Sequence, residues 1–388
     1  MKTMNEWTTE ASRSVVRHLE QNGFEAVYVG GAIRDLVRGE RPDDIDIATS
    51  ATPEEVMRLF SHTIDVGSEH GTTIIVQNGE MIEVTTYRTE TTYSDFRRPD
   101  EVTFVRSLED DLKRRDFTMN AIACRSDGTI VDPFDGVRDI EQGIIRAVGT
   151  ADERFSEDAL RMLRAIRFAG VLGFTIDDDT FRAIERNRSL LAHVAVERIV
   201  QEVDKLLEGK HVEHGWTMLQ QTQLAEQLPP FDRIDRWTFP LREATPSWAY
   251  IFSMSGDSLG SFCTAYKLSN ERKRAIRRFH EAKRLVEDEA WDVYATYSYS
   301  VHERVVGTLL AGGSVDRRAF QVEKEALPIQ SFEELAATGK ELMKWTNRRG
   351  GPWLGELIRA MERAVVSGQL LNEEQRIRKW VMEHVDER

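Results

Sequence analysis

The chain has 388 residues, and 52 Lys and Arg against 66 Asp and Glu give it a formal net charge of −14. Apolar residues make up 40% and charged residues 30%, the balance of a globular protein long enough for two to four domains. No run approaches the ~20 apolar residues of a membrane span, the first ten residues lack the apolar centre of a secretory leader, and Cys124 and Cys263 alone are too few for a disulfide framework or a cysteine-based zinc site. These features point to a reducing cytoplasm, with no membrane and no protein partner implied. The acidic total argues against general coating of nucleic acid, which rests on Lys and Arg neutralising phosphates.

In chain order, residues 9–22 pattern as a helix, and 24–31 as a β-branched and aromatic strand ending in Gly30-Gly31. Helices are expected at 31–38 and 53–60. The second opens on Thr52-Pro53-Glu54-Glu55, a hydroxyl cap, a proline in the first turn and early acids. Further strands are expected at 73–77, 81–87 and 102–105, so the first part of the chain is α+β. After Thr150 strand signals nearly vanish. Apolar residues at three- and four-residue spacing predict helices at 156–172, 178–187, 195–208, 213–224, 270–288, 316–326, 332–346, 352–367 and 372–386. Proline-rich segments near 225–248 and Gly350-Gly351-Pro352 mark breaks. Charge follows the same division. Residues 1–149 hold 17 Lys and Arg against 28 Asp and Glu, and the remaining 239 hold 35 against 38. The acidic part is therefore where carboxylates are expected to hold divalent cations.

Four motifs carry chemistry. Gly30 and Gly31 end a strand and open a helix, which lets backbone approach a phosphate, and Arg34 lies one turn on. Asp44 and Asp46 sit at i and i+2 on a short strand-like run, which puts two hard carboxylates on one face, suited to Mg²⁺ bridging a nucleoside triphosphate. Glu83 alternates with apolar residues in Met81-Ile82-Glu83-Val84 and is a candidate third carboxylate there. Arg114-Arg115-Asp116-Phe117-Thr118-Met119-Asn120 places arginines before an expected amphipathic helix start, with Asp116 or Thr118 as cap. Arg115 is a candidate for neutralising triphosphate charge, and Asn120 for positioning a loop or a ribose. Finally Asp158, Arg161, Arg164 and Arg167 step by three along an expected helix, neighbours on one side. Cytosine and adenine both show an amino group beside a ring-nitrogen acceptor. Uracil and guanine show a carbonyl beside a ring N–H. Given a nucleotide, one Asp acceptor beside one Arg donor accepts C and A and rejects U and G.

The set GGAIRD, DDIDIA, RRDFTMNA and EDALRMLRAIRF resembles the class II tRNA nucleotidyltransferases, the bacterial CCA-adding enzymes. The likeness continues through Glu197-Arg198-Ile199 and, more loosely, to Gly351-Pro352-Trp353. The resemblance implies a polymerase-β-like nucleotidyltransferase head with a small mixed sheet (residues 1–149), a helical neck that recognises the base (150–210), and a helical body (211–310) and tail (311–388) that bind tRNA, in a seahorse-like arrangement. It implies addition of C, C and A to the tRNA 3′ end from CTP and ATP. Two Mg²⁺ ions would sit on Asp44 and Asp46. Gly31, Arg34 and Arg115 would hold the triphosphate, Asp158 and Arg161 would read the base, and Arg164 and Arg167 would support that site. The stretch Thr89 to Asp100, with Tyr93, Asp95, Phe96, Arg97 and Arg98, resembles the family's flexible loop. Such a loop argues against an enzyme that adds only CC and leaves an A-adding enzyme open. A bacterial poly(A) polymerase is a further alternative, for which the expected basic, extended terminus is missing. No His-Asp dipeptide occurs, so a phosphohydrolase domain of that type is not indicated. The partner that the resemblance implies is the tRNA 3′ end and acceptor arm, and its candidate contact is residues 267–284, with Arg272, Lys273, Arg274, Arg277 and Arg278. Lys340, Lys344, Arg348 and Arg349 form a second basic group, with Trp345 and Trp353 nearby as expected core.

Overall fold

A computed structural model describes residues 4–42, 44–67, 71–90 and 102–385. The chain divides into two compact units. One runs to Ala244 and takes in Ala265–Lys267, and the other comprises Thr245–Thr264 and the chain from Leu268.

The first unit is built on a seven-stranded mixed sheet. In chain order its strands are β1 (Ala26–Val29), β2 (Asp46–Thr49), β3 (Thr63–Gly67), β4 (Thr72–Gln77) and β5 (Glu80–Thr86). β6 (Arg88–Glu90) and β7 (Val102–Phe104) pair with each other, and β8 (Ala123–Cys124) and β9 (Ile130–Val131) return to the sheet. The order is β3-β4-β5-β2-β1-β8-β9. β2 and β5 run parallel, and the other neighbours are antiparallel. β1 reads Ala-Val-Tyr-Val and is buried throughout, as a strand covered on both faces must be. Val27, Val29, Ala48, Leu112 and Ala123 share one core there. Helix Glu10–Gln21 buries Ala11, Val15, Val16 and Leu19. Helix Pro53–Leu59 starts at the reciprocal cap that its sequence announces. Thr52 Oγ1 accepts from the Glu55 amide, and Glu55 returns the bond. Arg106 also grips that Glu55 carboxylate, at 2.9 Å.

The helices after Thr150 are Ala151–Glu157, Leu160–Leu172, Asp178–Asn187, Val196–Leu207 and Val212–Gln221. The single helix expected over 156–172 is two, broken where Asp158 turns extended at φ −138°, ψ 101°. One short strand, Thr175–Ile176, pairs with Ile144–Ile145. Three glycines let the helices meet backbone to backbone. A Cβ on Gly215 would lie 2.7 Å from the Gly170 Cα, and a Cβ on Gly209 would lie 2.4 Å from the Gly170 oxygen.

A buried carboxylate ties these helices to the sheet. Asp116 is 9% exposed. Its Oδ2 accepts from Arg164 Nε at 2.8 Å and from an Arg164 terminal nitrogen at 2.6 Å. Its Oδ1 accepts from the Phe117 amide at 2.8 Å and from Asn120 Nδ2 at 3.0 Å. Four donors meet the roughly four lone-pair positions a carboxylate offers. Burial alone would raise the Asp116 pKa, but the Arg164 guanidinium and the Asn120 amide hold it well below the usual carboxylate range. This corrects the expected amphipathic helix with Asp116 or Thr118 as cap. A three-residue 3-10 turn, Thr118–Asn120, stands there without a side-chain cap, and Thr118 Oγ1 donates to Asp139 instead.

The second unit is helical throughout its described elements, including Asn270–Glu287, Val301–Leu310, Gly339–Thr346, Pro352–Val366 and Glu374–His384. The helix expected over 332–346 is a 3-10 turn, Phe332–Glu334, and a separate helix that starts at the Thr338–Glu341 capping box. Leu342, Leu357, Met361, Val365, Ile377 and Val381 form its core, and Trp345 and Trp353 pack against it. Among the described residues no helix is long and apolar enough to cross a membrane.

Two outcomes follow. Gly215→Ala forces a methyl against backbone and should lower stability by about 1–3 kcal/mol in urea unfolding. Asp116→Asn should cost on the order of 3 kcal/mol at pH 7, because Arg164 loses its buried partner. The wild-type carboxyl is held below its unfolded value of about 3.9. Its contribution is therefore complete above that pH and is lost as pH falls through the folded value. Between about pH 5 and pH 2 the variant should lose stability less steeply than the wild type.

Candidate active site

The site is built at the carboxyl end of β1. Val29 pairs with Asp46 on β2, and Asp46 pairs with Glu83 on β5. Gly30 then turns the chain at φ +72°, a left-handed backbone that glycine adopts without strain. A Cβ there would sit at ordinary contact distance, 3.4 Å from an Arg115 terminal nitrogen and 3.5 Å from Asp46 Oδ2, so the position is reserved for glycine by its backbone conformation and not by space. Gly31 opens helix Gly31–Val37, which carries Arg34.

The carboxylates form an unbalanced group. Asp46 is partly buried. Burial and the neighbouring Asp44 push its pKa up, against an opposing pull from Arg115. Glu83 has an exposed surface but is desolvated enough that burial, then Asp46 and Asp44, raise its pKa too. Neither Asp46 nor Glu83 makes a salt bridge with a described residue. Asp44 departs from expectation, since it lies exposed in a bend before β2 rather than on the strand. Among the described residues no three of His, Cys, Asp and Glu are grouped to hold a metal by themselves. Asp46 and Glu83 are hard oxygen donors of the kind that, one or two at a time with water and substrate phosphates, commonly hold Mg²⁺. Clustered carboxylates with raised pKa values are also the charge state that a cation relieves.

The arginines are joined in one network. Arg34 pairs with Asp35 and donates to Asn120 Oδ1 at 2.9 Å, and Asn120 donates onward to Asp116. Arg164 bridges Asp116 and Glu202, and Arg167 Nε donates to Glu202 at 2.9 Å. The Arg167 guanidinium also lies 3.5 Å from the Phe168 ring centroid. Arg115 donates to Asp111 and to the Asn120 carbonyl. Its Nε is buried with no hydrogen-bond partner among the described residues, an unmet cationic donor beside the carboxylates.

Gly30, Gly31, Arg34, Asp46, Glu83, Arg115, Asn120, Asp158, Arg161, Arg164 and Arg167 all line one cavity of about 1250 Å³. Asp44 does not line it. Asp158 and Arg161, expected as neighbours on one helix, are each held by another residue. Asp158 sits in the break before helix Leu160–Leu172 and pairs with Arg198 at 2.7 Å. Arg161 donates to Glu157 at 2.6 Å and to the carbonyls of Arg154 and Arg114. Sequence reasoning missed Glu157, Asp116, Glu202 and Arg198 as site residues. The acids at 157 and 158 and the Glu197-Arg198-Ile199 run were visible, but their long-range pairing was not.

The proposed RNA contacts lie on helix Asn270–Glu287 in the second unit. Arg274 and Arg277 are exposed, and Arg272 and Lys273 are partly so. Arg278 is committed internally. It pairs with Glu303 at 2.8 Å, donates to the Ser298 carbonyl and lies 4.0 Å from the Tyr299 ring centroid. The loop expectation from Tyr93 to Arg98 falls outside the described residues.

Three family models match the chain: a poly(A) polymerase head domain over residues 26–146, a probable RNA- and SrmB-binding site of polymerase A over 173–234, and a putative tRNA nucleotidyltransferase domain 2 over 239–381. The CCA-adding enzyme of Geobacillus kaustophilus is 43% identical over 96% of both chains, and that of Bacillus cereus is 43% identical over 95% of this chain and 96% of its own. The crystal structure of the Bacillus stearothermophilus CCA-adding enzyme in complex with CTP superposes with a TM-score of 0.84 at 39% identity, over 97% of each chain. With likeness of this degree along nearly its whole length, and a mixed-sheet head that gathers the motif residues into one cavity, the chain belongs to the CCA-adding enzymes, a family of tRNA nucleotidyltransferases.

Proposed function

We propose that the chain adds C, C and A in turn to the 3′ end of tRNA, using CTP and ATP, releasing pyrophosphate and reading no nucleic-acid template. The observation that carries this reading is the single cavity in which the Asp46–Glu83 carboxylates, the arginine network and Asp158 meet. Its volume of about 1250 Å³ exceeds the roughly 300–1000 Å³ of a small-molecule site, which leaves room for an RNA end beside a nucleotide.

The chain's residues divide the work. Arg34 and the unmet Arg115 donor receive the triphosphate where Gly30 and Gly31 admit it to the backbone. Asn120 keeps Arg34 in place. Arg164 and Arg167 act one layer back, since Asp116 and Glu202 already hold them. Asp44, Asp46 and Glu83 are the residues that would hold two Mg²⁺ ions. Bound there, the ions supply Lewis-acid activation of the tRNA 3′-hydroxyl and charge relief at the pyrophosphate. The hydroxyl attacks the α-phosphorus in line and pyrophosphate leaves, so the protein's contribution is chiefly placement and fixed charge. Asp158 accepts from the amino group that C and A share, and Arg161 turns to donate to the adjacent ring nitrogen. Arg272, Lys273, Arg274 and Arg277 meet backbone phosphates of the tRNA acceptor arm, while Arg278 shapes that helix from within. The buried thiols Cys124 and Cys263 accord with a reducing cytoplasm.

The decisive assay supplies labelled CTP or ATP to tRNA ending before C, after C, after CC and after CCA. C should enter the first two, A the third and nothing the fourth. Entry of A alone onto the CC end identifies an A-adding enzyme, and runs of A on the complete end identify a poly(A) polymerase. Asp46→Ala should lower incorporation of both nucleotides by at least ~10³-fold with an unchanged circular dichroism spectrum. Asp158→Ala should raise UTP and GTP use relative to CTP and ATP by roughly tenfold or more. Unchanged ratios would remove Asp158 from base reading.

A further inference from the structure

Asp158 can report a base edge only if its carboxylate keeps one direction. Its own helix does not supply that, because the chain leaves helical geometry there. Arg161, the residue that the sequence places beside it, is engaged with Glu157 and two backbone carbonyls. The direction comes from Arg198, forty residues away on helix Val196–Leu207. One terminal nitrogen of its guanidinium lies 2.7 Å from Asp158 Oδ2 and the other 3.2 Å from Oδ1. The Leu160 amide donates to Oδ1 at 3.1 Å. Of the roughly four lone-pair positions of a carboxylate, three are filled, and the remaining one is on Oδ2. Both residues line the cavity, and Asp158 is 16% and Arg198 26% exposed at the side chain.

We propose that Arg198 is a positioning residue for base selectivity. The two-pronged contact leaves Asp158 one acceptor position and no freedom to turn. An amino group of cytosine or adenine fills that position. The carbonyl oxygen of uracil or guanine meets a lone pair there and finds no donor, and a carboxylate that cannot rotate offers no alternative. Loss of Arg198 frees the carboxylate to swing aside, which removes the repulsive half of the discrimination. This inference rests on the assignment of Asp158 to base reading.

The test measures kcat/KM for CTP against UTP on tRNA lacking all three terminal nucleotides, and for ATP against GTP on tRNA ending in CC. The full chain is used in wild-type, Arg198→Met, Arg198→Lys and Asp158→Ala forms. Arg198→Met should raise both wrong-to-right ratios by about tenfold. Arg198→Lys, which keeps the charge but not the planar two-pronged contact, should raise them by less. A merely structural role lowers all four nucleotides together and leaves the ratios unchanged, and that result overturns the proposal. If Arg198→Met does not fold, Arg198→Lys decides alone, and wild-type ratios in it overturn the proposal. If Asp158→Ala shifts the ratios and neither Arg198 variant does, only the role of Arg198 falls. If Asp158→Ala leaves them unchanged, the base-reading assignment falls with it.

Discussion

The arrangement of this site depends on one buried negative charge. Asp116 comes from the loop that leads into β8, and all its acceptor capacity is taken by Arg164, Asn120 and its own backbone neighbour. Through Asn120 it fixes Arg34 at the glycine turn, and through Arg164 it fixes Glu202 and Arg167 on the helices. A buried ion pair is an expensive way to gain stability, because desolvation offsets much of the Coulomb attraction. Its effect here is positional. It ties the sheet that carries Asp46 and Glu83 to the helix that carries Arg161, Arg164 and Arg167. The bare glycine contacts at 170, 209 and 215 permit the close helix approach that this network requires. Packing and electrostatics thus specify the same geometry.

The acidic excess of the first 149 residues also takes a different meaning once the pairs are known. Asp111 holds Arg114 and Arg115, Glu25 holds Arg125, Asp139 holds Arg146, and Glu55 holds Arg106. These acids are engaged with arginines within the fold. The expectation that the acidity serves divalent cations therefore does not extend to every acid of this part. Asp46 and Glu83 are register partners on β2 and β5, and both have raised pKa values. Neither makes a salt bridge with a described residue, and both line the cavity, which net charge along the chain does not reveal.

Local periodicity made much of the fold legible. Helix Asp178–Asn187 follows Asp177, whose side chain caps it, and both ends were readable. β1, β4 and β5 announced themselves through β-branched runs. β8 and β9 did not, since two residues carry no period, and β3 is an edge strand with Ile64 and Val66 turned to solvent, so its pattern lacks a buried face. The break at Asp158 was illegible for a different reason. The run Glu157-Asp158-Ala159-Leu160-Arg161 has no glycine or proline, and its apolar spacing continues a helix smoothly. What accompanies the break is a contact with Arg198 across forty residues. The motif residues, Asp44 apart, converge on one cavity, as their clustering in the sequence suggested. Their partners were not legible, because each pairing joins elements far apart in sequence.

The hydrogen-bond logic of the site also limits what it decides. Cytosine and adenine present the same two functions in the same order, an amino donor beside a ring-nitrogen acceptor, so the edge reading proposed for Asp158 and Arg161 would exclude U and G without distinguishing C from A. A purine and a pyrimidine differ in extent, not in that edge. On that reading, the choice of which to add falls to the space around the base, into which the RNA end would grow with each addition. Asp158 is held by Arg198, whereas Arg161 must leave Glu157 to take part, so under that reading the carboxylate is the constant half of the edge test. Shape is then the variable left to change between one addition and the next.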